Sequence, residues 1–207
     1  MIGEDKVSDV RISDTEVLNN AITSKILDLK QNLWNISLKT AGKHYMKNAA
    51  ALLTLVSSLN LELSKAILAL QSWSPLAGRG QVLEVKLKAS NCNETIHLID
   101  ESYNANPNSV RSSLETLACI FTNKKGKGEY YRRIAVLGDM LELGFSEIQE
   151  HVNISKFARL DKIDKIYCVG SRMKKLFDVL LYSKRGLWTE TAEEMKHVLV
   201  NKLKNGD

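Results

Sequence analysis

Between Asp100 and Pro107 the sequence reads DESYNANP, directly after the apolar run IHLI. Asp100 and Glu101 are adjacent, so in a strand they point to opposite faces and do not form a carboxylate pair sharing one proton. A single carboxylate there suits a ribose hydroxyl; the plainer reading is one solvated acid and one that caps a turn. Asn104 and Asn106 each bring an amide with donors and an acceptor, which suits a neutral or zwitterionic ligand. They also suit turn chemistry, with Pro107 opening the next helix.

A second polar block, GDMLELG at 138–144, follows the apolar run IAVL and carries Asp139 and Glu142. Two carboxylates are too small a set to argue for a metal. His151 further on is expected on a helix surface. Upstream, His44 and Asn48 are spaced i, i+4, on one helix face, where an asparagine can pair with an adenine edge. The alternative is a polar start to a buried stripe continued by Leu52, Leu55 and Leu59. Arg79 stands between Gly78 and Gly80, able to reach a phosphate or to sit in a surface linker. The sequence contains no G-x-x-x-x-G-K-[ST] phosphate loop, no nucleophile elbow and no H-E-x-x-H.

The elements that must hold these residues fall into two styles. Residues 7–12 suggest a short strand, and 21–38 a β-ribbon turning near 30–32. Helices follow from His44 to Leu59 and over 63–71. SWSPLAGRGQ, with Pro75, Gly78 and Gly80, is the best domain boundary, giving domains 1–77 and 78–207. Beyond it, strands over 82–88, 95–100, 134–137 and 165–169 alternate with helices over 108–121, 147–160, 172–181 and 191–203. Asn108 or Ser109 is the expected cap of the first. Continuous apolar strands between helices predict an α/β domain with a mostly parallel sheet, Rossmann-like in layout. Ligands of such sheets bind beyond the carboxyl ends of the strands. DESYNANP, GDMLELG and Gly170–Ser171 are all expected there, converging on one crevice.

Composition narrows the class. With 44% hydrophobic and 26% charged residues the chain is an ordinary soluble type. The net charge of +5 favours small anions as readily as nucleic acid. Cys92, Cys119 and Cys168 have no metal spacing and read as reduced thiols, the last two as small core residues. The first residues carry charges at once, unlike a signal peptide, and no apolar run could span a bilayer, so a cytoplasmic location is expected.

IDESYNANPNSVRSSLETLA followed by RRIAVLGDMLELG resembles the C-terminal domain of the Mur ligase family, in the branch that joins D-alanyl-D-alanine to UDP-MurNAc-tripeptide. GKHYMKNAAALL and then GRG are similar to the end of that family's central ATPase domain. The resemblance implies an ATP-dependent amide-bond ligase working through an acyl phosphate, with Mg2+ bridging the phosphates. It implies adenine contacts from Asn48, with His44 in the same motif, phosphate contact from Arg79 and ribose contact from Glu101. Tyr103, Asn104 and Asn106 would face the nucleotide and the incoming dipeptide, and Asp139 and Glu142 would line the same cleft.

The sequence departs from the family pattern at Tyr45, where asparagine is common, and at Glu101, where aspartate is usual. The family's phosphate-binding loop, carbamylated lysine and magnesium ligands would fall upstream of Met1, and a last strand with a Lys-Gly-Ser motif after Asp207. A fragment is therefore expected, inactive alone, with open sheet edges and an upstream polypeptide as partner. The rival readings are a non-catalytic interaction subunit, a gene remnant, and a nucleic-acid module built on TNKKGKGEYYRR. That segment places five basic residues around Tyr130 and Tyr131, but the loop reads better as a solvated connection.

Overall fold

Asp28 shows how local chemistry sets the first sheet. Its carboxylate is buried at a hairpin turn and accepts from Lys30 N and Asn32 N (both 2.8 Å), Asn32 Nδ2 (3.1 Å) and Trp34 Nε1 (3.0 Å). Burial pushes this carboxyl up, but the hydrogen bonds from Trp34, Asn32 and Lys30 outweigh it and hold it below the ordinary value. The turn joins β3 (Ala21–Leu27) to β4 (Leu33–Leu38) in antiparallel register, with Ile26 opposite Trp34. The computed structural model describes residues 1–5, 7–18, 21–87, 95–120 and 131–207. They divide into two compact units, Met1–Gln81 and Val82–Asp207.

In the first unit β1 (Ile2–Gly3) and β2 (Val10–Leu18) complete a sheet of order β1-β2-β3-β4. The first strand of substance is longer than the expected 7–12. It survives Asp14, whose φ of 51° lies at a bulge between Ser13 and Glu16, by shifting register there. β3 buries Ile22, Ser24 and Ile26 in strict alternation, and the Ser24 hydroxyl is satisfied by Thr15 Oγ1 at 2.9 Å.

Two helices, α1 (Lys43–Ser58) and α2 (Leu63–Ser72), follow. α1 does not bury the stripe expected from sequence. Met46, Ala49, Ala50, Leu53 and Ser57 face inward, and Leu52, Leu55 and Leu59 are exposed. Both stripes have helical period. The one with two alanines lets the helix axis come closer to the sheet, and that one is buried.

The second unit starts one residue into β5 (Gln81–Lys86), which pairs with β6 (Thr95–Asp100). Then come α3 (Pro107–Cys119), β7 (Ile134–Gly138), α4 (Glu147–Asn153), β8 (Lys165–Val169), α5 (Met173–Val179), β9 (Arg185–Thr189) and α6 (Ala192–Val200). β7, β8 and β9 form a parallel sheet in that order, with Leu137 opposite Cys168 and Cys168 opposite Trp188. The chain is thus α/β, as the strand–helix alternation predicts. α4 and α6 are shorter than expected, and a 3-10 turn at Ile154–Lys156 takes up the end of the first.

β9 is an addition to the sequence reading. RGLWT is short and contains Gly186, which normally weakens a strand pattern. The glycine is needed: a Cβ there would come within 2.7 Å of the Tyr167 ring. The core of this unit gathers Val110 and Leu114 of α3, Ala135 and Met140, Ile166 and Cys168 of β8, and Met173 and Leu176 of α5. The expected open edge is partly closed. The tail Asn205–Asp207 lies beside the start of β6, with Gly206 N donating to Thr95 O (2.7 Å) and His97 N to Asp207 O (2.8 Å).

Candidate nucleotide and substrate site

In the first unit the start of α1 is packed among aromatic rings. The His44 ring lies 4.1 Å from that of Tyr45, and Tyr45 lies 4.9 Å from Trp73. The Tyr45 hydroxyl donates to the carbonyl of Arg79, tying the helix start to the Gly78–Gly80 turn. His44 Nδ1 is buried with no hydrogen-bond partner among the described residues, and burial lowers the imidazole pKa. Asn48 and Arg79 are exposed. His44, Tyr45, Trp73 and Arg79 therefore meet in space. Tyr45, a departure from the family pattern, is the link. Trp73 was not picked out from sequence; its place two residues before Pro75 was the available signal.

In the second unit DESYNANP bonds mostly within itself. Asp100 Oδ1 accepts from Ser102 N (3.1 Å) and Ser102 Oγ (2.6 Å). Asn104 Oδ1 accepts from Ala105 N (2.8 Å). Asn106, rather than Asn108 or Ser109, caps α3. Its Oδ1 accepts from Ser109 N and Ser109 Oγ accepts from Asn106 N, both at 2.9 Å, with Pro107 in the first turn. The cap falls earlier because Pro107 already has helical φ and needs no donor. Tyr103 is 67% exposed. Glu101 is half-buried beside Ser113; burial raises its pKa, and the neighbouring Asp100 charge adds to the rise.

GDMLELG is built the other way, into the core. Asp139 caps α5, Oδ1 accepting from Met173 N (2.7 Å) and Oδ2 from Arg172 N (3.2 Å). The Arg172 guanidinium binds Glu147 at 2.6 Å and lies 3.6 Å from Asp139. Gly170, with φ at 100°, gives Asp139 room: a Cβ there would fall 2.5 Å from its Cγ. Met140 is fully buried, and its N–H donates to His151 Nε2 at 2.9 Å. His151 Nδ1 meets Glu147 O at 2.6 Å. A carbonyl only accepts and an amide only donates, so the ring carries its proton on Nδ1. His151 is 0% exposed, against the expected surface position. Its signal was present: His151 and Ile154 share one helical face, and Ile154 is buried.

Glu142 is exposed at a φ of 61°, a left-handed position uncommon for a residue with a side chain. Burial, with the Asp139 charge adding to it, pushes the Cys168 thiol up to about 12, so it is no nucleophile. Cys119 is half-buried rather than a full core residue, with Arg159 Nη1 2.9 Å from its sulfur; Cys92 lies outside the described residues. So does most of the basic loop TNKKGKGEYYRR. Its last arginines are committed, Arg132 to Asp207 (2.5 Å) and Arg133 N to Asp164 (2.7 Å).

The structure therefore joins Asp139 to the Gly170–Arg172 turn, and DESYNANP stands as its own exposed loop at the end of β6. No group of three His, Cys, Asp or Glu among the described residues could hold a metal ion. No helix among them is long and apolar enough to cross a membrane.

Comparison with known proteins adds a family. The profile of the Mur ligase glutamate ligase domain matches residues 83–207. A UDP-N-acetylmuramoyl-tripeptide–D-alanyl-D-alanine ligase of Mycobacterium leprae is 30% identical over 165 residues, 77% of this chain and 31% of its own length. The ligase of the same name from Treponema pallidum is 26% identical over 196 residues, 93% of this chain and 39% of its own. Among solved structures, a MurF ligase from Thermotoga maritima in complex with ADP superposes with a TM-score of 0.76 at 22% identity, covering 100% of this chain and 43% of that one. MurF from Acinetobacter baumannii gives 0.73 at 24%, covering 96% and 39%. The chain thus spans between 31% and 39% of the length of these two sequence relatives. With the profile matching from β5 onward and both polar blocks at strand ends within it, the chain belongs to the Mur ligase family.

Proposed function

We propose that this chain is the closing portion of an ATP-dependent ligase that joins D-alanyl-D-alanine to UDP-MurNAc-tripeptide in the cytoplasm. The observation that carries this reading is that the relatives named for that reaction match across both polar blocks. Residues 1–77 would be the end of a central ATPase domain and 78–207 the C-terminal domain. Asn48 and His44 would hold adenine, the unpartnered His44 Nδ1 being a buried polar atom that a base edge can satisfy. Arg79 would reach the phosphates and Glu101 the ribose. Tyr103, Asn104 and Asn106 would face the nucleotide and dipeptide, with Asp139 and Glu142 behind them.

ATP supplies the phosphoryl group that activates the peptide carboxylate. The described residues do not fit Mg2+, and its ligands would belong to the parts of the relatives that this chain does not span. Phosphoryl transfer rests on positioning and charge stabilisation, so the chain alone should turn over negligibly. The exposed Leu52, Leu55 and Leu59 of α1 would pack against the remainder of the ligase, the part of the relatives that this chain does not span.

The test is ATP-dependent ligation of D-alanyl-D-alanine to UDP-MurNAc-tripeptide by the chain alone and with a phosphate-loop polypeptide added. Activity is expected only on addition, and Leu55→Lys should abolish the gain. Asn104→Ala should lower ligation by tenfold or so, as loss of an oriented hydrogen bond does. It should move stability by less than about 0.5 kcal/mol. Full turnover by the chain alone would overturn the reading.

A further inference from the structure

Pro75, Gly78 and Gly80 are buried, and Arg79 between the two glycines is exposed. Gly78 and Gly80 take φ of 74° and 87°, values a side chain would resist. A Gly-Arg-Gly run has enough backbone freedom to send its arginine in many directions. Whatever holds this turn therefore decides where the guanidinium is presented. Arg79 N donates to Leu76 O at 3.1 Å, which closes the turn on itself. The Tyr45 hydroxyl donates to Arg79 O, which ties the closed turn to the start of α1.

Tyr45 is itself well seated. Its N–H donates to Gly42 O at 3.1 Å, and its ring packs against His44 on one side chain and Trp73 on another. Gly42 leaves the space for this: a Cβ there would lie 2.9 Å from His44 Cε1 and 3.0 Å from Tyr45 Cδ2. The next residue, Met46, is buried in the core of the first unit, so the helix start is anchored from below. A ring held in this way has little rotamer freedom left to lose, and its hydroxyl acts as a fixed post. Length matters too, since a shorter polar side chain on the same backbone would end short of the turn. Arg79 is thus carried by the first unit, which extends to Gln81.

We propose that Tyr45 is a positioning residue for Arg79. By fixing the Arg79 carbonyl it presents the guanidinium to the phosphates of the nucleotide, and so sets how far the site prefers a nucleoside triphosphate to a bare nucleoside. The inference rests on the reading that Arg79 reaches the phosphates, with adenine on Asn48 and His44. It adds a residue outside that contact set, acting through backbone alone. The base end is left as it is, because the Tyr45 ring, not its hydroxyl, touches His44.

The experiment compares the full chain with Tyr45→Phe, Arg79→Ala and the double variant. Phenylalanine keeps the ring packing and deletes the hydroxyl. Affinities for ATP and for adenosine are measured by titration calorimetry, and exchange of the Arg79 amide is followed alongside. The parent should bind ATP more tightly than adenosine. Tyr45→Phe should weaken ATP roughly three- to tenfold, the loss of one oriented hydrogen bond, and leave adenosine unchanged. The Arg79 amide should exchange faster by a similar factor as the turn opens. In the Arg79→Ala background Tyr45→Phe should cost ATP nothing more, since the two residues act as one unit. Equal weakening of ATP and adenosine would reduce Tyr45 to a structural support and overturn the proposal. So would a loss that persists without Arg79, or unchanged exchange at Arg79. A parent that binds ATP no better than adenosine would overturn the phosphate role of Arg79 as well; a parent that discriminates and a Tyr45→Phe variant that discriminates equally would overturn this inference alone.

Discussion

DESYNANP and GDMLELG are similar as strings: each follows an apolar strand and each carries two acids. In the fold they do opposite things. The first keeps Tyr103, Asn104 and Asn106 exposed and bonds chiefly to its own backbone and the start of α3. The second turns inward, with Asp139 on α5, Met140 in the core and His151 beneath it. A polar block at the end of a strand can therefore present groups to a ligand or spend them on holding the loop. The difference shows in which atoms have partners, not in the composition. If this contrast is right, substitutions in and under the second loop should cost stability, and those in the first should cost little.

The largest effect should come from His151→Ala. It removes a fully buried ring, leaves Met140 N–H unpaired and strips Glu147 O of its side-chain partner. A cavity plus a buried unsatisfied donor amounts to about 3–5 kcal/mol. Urea unfolding of the variant would show this as a lowered midpoint at unchanged slope. A loss below about 1 kcal/mol would break the contrast, since GDMLELG would then not depend on the core beneath it.

Asp139→Ala should come next, at about 1–2 kcal/mol, the usual cost of a lost helix cap. Two N–H donors of α5 and part of the Arg172 pairing lose their acceptor, but Glu147 still holds Arg172 at 2.6 Å. The same measurement on Asn106→Ala should give about 1 kcal/mol, because Ser109 N alone loses a partner. The ranking matters more than the values. Asn106 costing more than Asp139 would mean that the first loop is the better anchored of the two.

How far the sequence anticipates this depends on what each feature rests on. Strand–helix alternation from 82 onward is a matter of period and length, and it emerges as predicted. The hairpin at 21–38 was legible for the same reason, although Asp28, which holds its turn, was not picked out. The buried face of α1 was not legible, because two stripes had equal period and only packing against the sheet chose between them. His151 was misplaced because one polar residue in a short helix reads as surface; its partner, Met140 N–H, is a backbone group that no pattern of side chains announces. The cap of α3 slipped by two residues or more for a similar reason: Asn106 and Asn108 are the same residue type, and the φ of the intervening Pro107 decides between them. Of the candidate site, the residue types could be read in advance. Their bonding states could not, and the contrast between the two loops consists of those states.

The smallest effect, and the sharpest check on the first loop, should come from Glu101→Gln. Glu101 is a half-buried carboxylate in the first loop, and burial raises its pKa above the ordinary 4.5, with Asp100 adding to it. The folded state therefore holds this proton more tightly than the unfolded chain does. Below the ordinary value both states are protonated and the group carries no burial cost. As pH rises through the ordinary value and then the raised one, the unfolded chain ionises first and stability falls. Glutamine keeps the acceptor toward Ser113 and never ionises, so it escapes that fall. The melting-temperature difference between variant and parent should be near zero at about pH 4 and should grow in favour of glutamine toward about pH 7, ordinary titration bounds for a glutamate. A constant difference across that range would mean that Glu101 is as open to water as Tyr103, leaving the first loop tied to the domain only through Ala105 and the Asn106 cap of α3.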